Sequence, residues 1–423
     1  MNNEINPCDK TFTIGKWMPS DQKTLTEWLL RIMNKAENND TPLLPAVQNF
    51  KDFIESDPKA YMFFNQMFDQ VGRDKKLSPG GLPQVRDYHH MLSMINVIMT
   101  HAPDFDETGL VGCPFNALFD WSMATRGGWA GFINEKVNLH LKAILNEWGK
   151  FLRSADSAYV LSDDPKKGWF GKDALHAMPT FVEDFQCDPQ LPHYGFHSWD
   201  DFFTRTLREG ARPVAEPDND AIIINACESA PYRVATDVQL RDKFWIKAQP
   251  YALQFMMDND PLVSQFEGGT IYQAYLSALS YHRWHSPVSG RVVKTRMIEG
   301  TYYSESLYAG IDAAGPDRSQ SYIAEIATRG LIFIEADNPD IGLMCVMAIG
   351  MAEVSTCEIT AFEGQYVKKG DQLGMFHFGG STHCLFFGPQ VNIEFDLHGQ
   401  VPGHHSHNIP VNAQIAKVGL RKG

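Results

Sequence analysis

No C-x-x-C pair occurs in the 423 residues, and the cysteines number seven (Cys8, Cys113, Cys187, Cys227, Cys345, Cys357, Cys384). An odd, unpaired set indicates neither a disulfide framework nor a zinc ribbon, so the thiols read as buried or free in a reducing compartment. Basic residues are in deficit: 37 Lys and Arg stand against 51 Asp and Glu, a net charge of −14. That sign argues against a nucleic-acid binder or a polybasic membrane-surface protein. Long apolar runs are missing too. The most hydrophobic window, Ile341 to Ala352, is 12 residues, too short to span a bilayer. The segment 1–7 (MNNEINP) has no basic or apolar stretch of the secretory kind. HExxH, G-x-S-x-G, internal repeats and low-complexity tracts are all absent. The expectation is a soluble, cytoplasmic protein with no metal, no nucleic-acid partner and no stable membrane association.

What is present is ordinary globular composition, 43% hydrophobic and 21% charged, which excludes wholesale disorder. At roughly 100–200 residues per domain the length implies two domains. Up to about residue 180 the apolar period is helical. Val47, Phe50 and Ile54 fall on one face of LPAVQNFKDFIESDP, which should end near Pro58. Ile133, Val137, Leu141, Ile144, Trp148 and Leu152 make one stripe of a helix of about six turns. Tyr61, Phe63, Phe64, Met67 and Phe68 read as core.

The Pro-containing stretch 184–193 (DFQCDPQLPH) is the best boundary, followed by a short helix capped by Ser198 with Asp201 three residues on. Beyond Pro213 come short β-type runs at 221–226, 290–298, 331–336, 342–349 and 413–418, punctuated by Gly, Pro and Asn-Asp. The fold class is α+β: an all-helical N-terminal domain over 1–190, then a β-rich domain over 191–423.

Three constellations carry possible chemistry. Gly379-Gly380-Ser381-Thr382 follows a strand-like alternation of Met375 and His377 against Phe376 and Phe378. Paired glycines permit backbone conformations closed to other residues, so the segment is either a tight turn with a locally bonded hydroxyl or an exposed carbonyl beside a nucleophile. Tyr281-His282-Arg283-Trp284-His285 sets two imidazoles three apart, as acid and base or as metal ligands lacking a third. Glu228 ends an apolar strand, as a strand-end charge or a site carboxylate. The tract His404, His405, His407 reads as a solvated loop.

Together and in this order these segments resemble the phosphatidylserine decarboxylase family. FHSWDDFFTRTLREGARPV (196–214) is similar to that family's FFxRxLxxGxRP segment, and NACES (225–229) takes the place of its PADG stretch. SYHRWHSPVSG (280–290) resembles its YHRxHxPxxG motif, and VKKGDQLGMFHFGGST (367–382) its KGxELGxFxxGGST processing site. The resemblance spans about 194–423, and the N-terminal half is similar to the extra helical domain of fungal members acting on free amino acids.

The resemblance implies a self-made cofactor. Ser381 Oγ attacks the Gly380 carbonyl, the chain splits between Gly380 and Ser381, and Ser381 becomes a pyruvoyl group, with no pyridoxal phosphate and no metal. His285 matches the family's base, and Glu228 stands where its orienting Asp lies, completing an acid–His–Ser triad with one extra methylene. His282 is the implied proton donor to substrate. The products are non-covalently held chains 1–380 (β) and 381–423 (α), and the reaction is decarboxylation. The expected substrate is a free aromatic L-amino acid, L-tryptophan first; the alternative is phosphatidylserine. Trp284, Phe376, His377 and Phe378 are the expected pocket, with Phe386 and Phe387 nearby in sequence. A biotinyl- or lipoyl-type carrier hairpin is the competing reading of FEGQYVKKGDQLG, but no Lys in a DKA- or MKM-like context accompanies it.

Overall fold

The computed structural model describes residues 17, 22–38, 41–73, 85–105, 111–242, 251–307, 319–351, 353 and 357–421. Cys8, the segment 1–7 and Ala352 lie outside them. The chain divides into two compact units: Met1–Pro179 with Asp188–Phe202 and Thr301–Ile323, and Thr180–Cys187 with Phe203–Gly300 and Ala324–Gly423.

The first unit is helical. Its principal helices are α1 (Gln22–Glu37), α2 (Pro45–Ser56), α3 (Pro58–Arg73), α4 (Tyr88–Ile98), α5 (Pro114–Met123), α6 (Arg126–Phe132) and α7 (Glu135–Leu152). The α2 stripe is as expected: Val47, Phe50 and Ile54 are its buried residues. Pro58 stops α2 and starts α3, because proline suits the first helical turn, where its missing N–H is no loss. Asp57 caps that turn by accepting from Lys59 N (2.9 Å) and Ala60 N (3.0 Å). The α7 stripe is one turn shorter than its sequence suggests. Asn134 caps it by accepting from Lys136 N at 2.9 Å, so the helix starts at Glu135 and Ile133 stays outside, partly exposed. Of the aromatic run in α3, Phe64, Met67 and Phe68 are buried, whereas Tyr61 faces solvent. Phe119 packs on Phe132 (5.1 Å between centroids) and on Tyr303 (4.8 Å), which ties the segment around Tyr303 into this core.

The second unit is sheet-rich. Its strands are β1 (Ile222–Ile224), β2 (Ala230–Thr236), β3 (Thr270–Leu276), β4 (Arg283–His285), β5 (Gly290–Ile298), β6 (Arg329–Ala336), β7 (Leu343–Met351), β8 (Cys357–Ile359), β9 (Tyr366–Val367), β10 (Gln372–Phe376), β11 (Gly380–Phe387), β12 (Asn392–Phe395) and β13 (Gln414–Gly419). Seven form one sheet in the order β2-β3-β11-β7-β6-β5-β9, with two three-stranded sheets, β4-β10-β8 and β1-β13-β12. Each named pair is antiparallel, so the α+β class holds. β11 lies inside the large sheet and all eight of its residues are buried. Among the described residues no helix is long and apolar enough to cross a membrane, no disulfide forms, and no three His, Cys, Asp or Glu side chains group as a metal site.

Candidate active site

The two most distinctive sequence segments meet through the backbone. β10 pairs with β4, placing Gln372 opposite His285 and Met375 opposite Arg283. Phe376 N donates to the His282 carbonyl (2.9 Å), Gly370 N to that of Ser286 (2.9 Å), and His285 N to that of Ala226 (2.8 Å). NACES, YHRWHSP and KKGDQLGMF are therefore held side by side. Gly374 permits this close approach: a Cβ there would meet the Glu358 carbonyl oxygen at 2.3 Å and the Trp284 ring at 2.6 Å. From β10 the chain turns at Gly379, whose φ of +133° is open to glycine and strained for other residues, into β11.

Ser381 is the second residue of β11, opposite Leu276 of β3 and Gly350 of β7. It is 1% exposed, and its hydroxyl makes no hydrogen bond among the described residues. A buried, unsatisfied hydroxyl costs about 1–3 kcal/mol, so its retention calls for a chemical reason. The loop that carries His282 leaves β3 directly after Leu276, Ser381's cross-strand partner. His282 is fully buried and stacks on Phe203 at 3.9 Å, and Phe203 meets Phe378 edge-on at 5.5 Å. Burial first and the Arg205 charge second push its imidazole well below the usual histidine range, against the Ser280 and Ser277 carbonyls. It is a neutral ring at neutral pH.

His285 is held at both nitrogens. Nδ1 lies 2.6 Å from the Gly370 carbonyl oxygen and Nε2 2.8 Å from the Tyr281 hydroxyl. Burial lowers its pKa, with the Gly370 carbonyl acting the other way.

Glu228 corrects the expected triad. Its Oε1 accepts from Arg212 Nη2 (3.0 Å), and its Oε2 from Arg212 Nε (3.2 Å) and Val411 N (2.9 Å). Arg212 also binds Asp184, Nη1 to Oδ1 at 3.0 Å. No hydrogen bond joins Glu228 to His285, or His285 to Ser381. The reason is electrostatic: a guanidinium already close by outcompetes a neutral imidazole for the carboxylate.

The expected aromatic pocket is only partly assembled. Trp284 and Phe376 lie in the hydrophobic core, 4.8 Å apart, because strand alternation sends Trp284 to the face opposite Arg283 and His285. Phe387 is core as well, and Phe386 packs on Phe266. His377 bonds Glu358 at 2.8 Å near the surface. Phe378, beside Phe203, is the one placed with a site histidine.

Sequence reasoning missed Phe203, Tyr281, Arg212 and His383. The first three sit inside the quoted motifs, where their neighbours drew attention. His383 follows Ser381 by two, hence on the same strand face, fully buried, its imidazole pushed down to about 3 by burial.

Two sequence profiles, both described as phosphatidylserine decarboxylase, match residues 44–178 and 199–402. An L-tryptophan decarboxylase of Psilocybe cubensis is 39% identical over 405 residues, covering 90% of this chain and 89% of that protein. The decarboxylase iboD of Amanita muscaria is 43% identical over 352 residues, 77% of this chain and 99% of its own. A phosphatidylserine decarboxylase proenzyme of Schizosaccharomyces pombe is 31% identical over 221 residues, 52% of this chain and 22% of its own.

Proposed function

The chain belongs to the phosphatidylserine decarboxylase family and is a decarboxylase, and from that premise we propose that it acts on a free aromatic L-amino acid, L-tryptophan first, to give the amine. The observation that carries this reading is the reach of the similarity. The L-tryptophan decarboxylase aligns with 90% of the chain, helical half included, whereas the proenzyme from Schizosaccharomyces pombe aligns with 52%. A net charge of −14 points the same way, since it repels anionic bilayers. On this reading the enzyme works in the cytoplasm on a small-molecule substrate.

The cofactor we assign is a pyruvoyl group made from Ser381. The residues suit it: a buried hydroxyl without a hydrogen bond, entered through a glycine at φ +133°. Ser381 Oγ attacks the Gly380 carbonyl carbon and the Gly380–Ser381 amide becomes an ester. Loss of the Ser381 Cα proton then expels the Gly380 carboxylate and leaves dehydroalanine, which tautomerises to an imine and is hydrolysed by water to the pyruvoyl group with release of ammonia. Chains 1–380 and 381–423 are then held together without a covalent link. His285 takes the Oγ proton on Nε2, the nitrogen that the Gly370 contact leaves with a lone pair. Once formed, the pyruvoyl group supplies an electron-withdrawing carbonyl that takes up the electron pair left by CO₂. His282, steadied against Phe203, is the residue we assign to protonate the substrate's Cα.

The test is direct. Ser381→Ala should remain one chain on a denaturing gel and release no CO₂. Wild-type protein without added pyridoxal phosphate should turn over tryptophan with a higher kcat/KM than phosphatidylserine vesicles. Greater turnover of the phospholipid would reverse the substrate assignment while leaving the maturation chemistry standing.

A further inference from the structure

Resting on the proposed self-maturation, we propose that Tyr281, together with the Gly370 carbonyl, is the positioning device of His285, in the place where a triad would use an acid. A carbonyl oxygen only accepts, so the 2.6 Å contact to Gly370 requires the proton on His285 Nδ1. Nε2 then carries the lone pair, and the Tyr281 hydroxyl at 2.8 Å must donate to it. Both in-plane directions of the ring are thereby fixed and the proton is kept on Nδ1; the one lone pair of Nε2 rests on the Tyr281 hydroxyl, which turns off it when the Ser381 proton arrives.

The acid is committed elsewhere. Glu228 faces Arg212 and Val411 N, and Arg212 is shared with Asp184. The Tyr281 ring is itself anchored, stacked with Phe185 at 6.2 Å between centroids. The groups facing this pair are few. Arg283 and Asp371 flank His285, and Arg205, Arg283, Glu228 and Cys227 flank Tyr281. A hydroxyl donating to the neutral imidazole favours the neutral, basic form. Tyr281 therefore sets the pH at which His285 becomes competent as well as its orientation.

The experiment follows chain splitting on denaturing gels from pH 5.5 to 8.5, using full-length protein made by cell-free translation. Tyr281→Phe should slow splitting about five- to tenfold at neutral pH, as loss of one hydrogen bond implies. It should also move the acid midpoint upward, which a loss of packing alone would not do. If Tyr281→Phe fails to fold, trifluorotyrosine at 281 keeps the ring and strengthens the donor, and the midpoint should move downward. A wild-type rate and midpoint in Tyr281→Phe, or no shift with trifluorotyrosine, would overturn the assignment. A midpoint that follows Glu228→Gln instead would return the orienting role to the acid. Wild-type protein that never splits would sink the proposed maturation itself.

Discussion

Arg212 stands between Glu228 and Asp184, with all three side chains less than one-fifth exposed. Burial alone would lower its pKa, but the hydrogen bonds to the two carboxylates outweigh that and raise it. Arg212→Met should therefore destabilise the protein by about 3–5 kcal/mol in chemical denaturation, because two carboxylates are left facing each other without a cation. A loss below about 1 kcal/mol would mean that water reaches the trio. The buried histidines give a second residue-scale expectation with a definite sign. His383 is held near 3 in the fold against about 6.5 unfolded, so its contribution is complete above pH 6.5 and is lost as pH falls. Between pH 7.5 and 5.5 that amounts to about 1.4 kcal/mol. His383→Gln should flatten the acid limb of the stability curve correspondingly. Ser381, His282 and His285 stood out in the sequence as candidates because each sits in a local motif of distinctive residue types. The Arg212–Glu228 pairing was not: the residues are 16 apart, and nothing local shows which charge a carboxylate will meet.

At the scale of elements, the β-type run at 290–298 coincides with β5 to the residue, although its apolar residues fall in adjacent pairs rather than alternating. β11 was harder. It is buried on both faces, so the period of two disappears and leaves only an apolar run after GGST. β4 is three residues long and has no period to read. The turn into β11 depends on Gly379, and Gly379→Ala should cost about 1–3 kcal/mol through its positive φ. The same substitution should retard chain splitting by misaiming the Gly380 carbonyl; unchanged splitting would show that the turn relaxes freely.

The helix Gln320–Ile326 carries a separate pH device. Glu325 Oε1 accepts from Ala252 N at 2.9 Å, and burial raises its carboxyl to about 8, against the Ala252 hydrogen bond and the nearby Arg329. A raised carboxyl contributes stability below its unfolded pKa and loses it as pH climbs through about 8. Glu325→Gln keeps the acceptor and removes the charge. Its melting temperature should match wild type near pH 5 and exceed it at pH 9; equal values at both would show that the carboxyl titrates normally.

For the whole molecule, the deciding quantity is how much an aromatic side chain gains on leaving water. Full burial of such a side chain is worth roughly 1.5–3 kcal/mol over exposure. That converts to about 10- to 150-fold in kcat/KM over serine, provided the gain is realised in the transition state. Tryptophan and phenylalanine differ much less, because a size change within one apolar site discriminates only modestly. Phe203, stacked on His282, and Phe378, edge-on to Phe203, are the candidate aromatic surfaces for the proposed substrate, whereas Trp284 and Phe376 belong to the core. Phe203→Ala should therefore lower kcat/KM for tryptophan about tenfold or more while also freeing the His282 ring. The two effects separate by substrate. Loss of the aromatic surface penalises tryptophan over serine, whereas a loosened His282 penalises both equally. A Phe203→Ala enzyme that keeps the wild-type tryptophan-to-serine ratio would show that this ring serves the histidine alone, and the side-chain site would then lie elsewhere in the molecule.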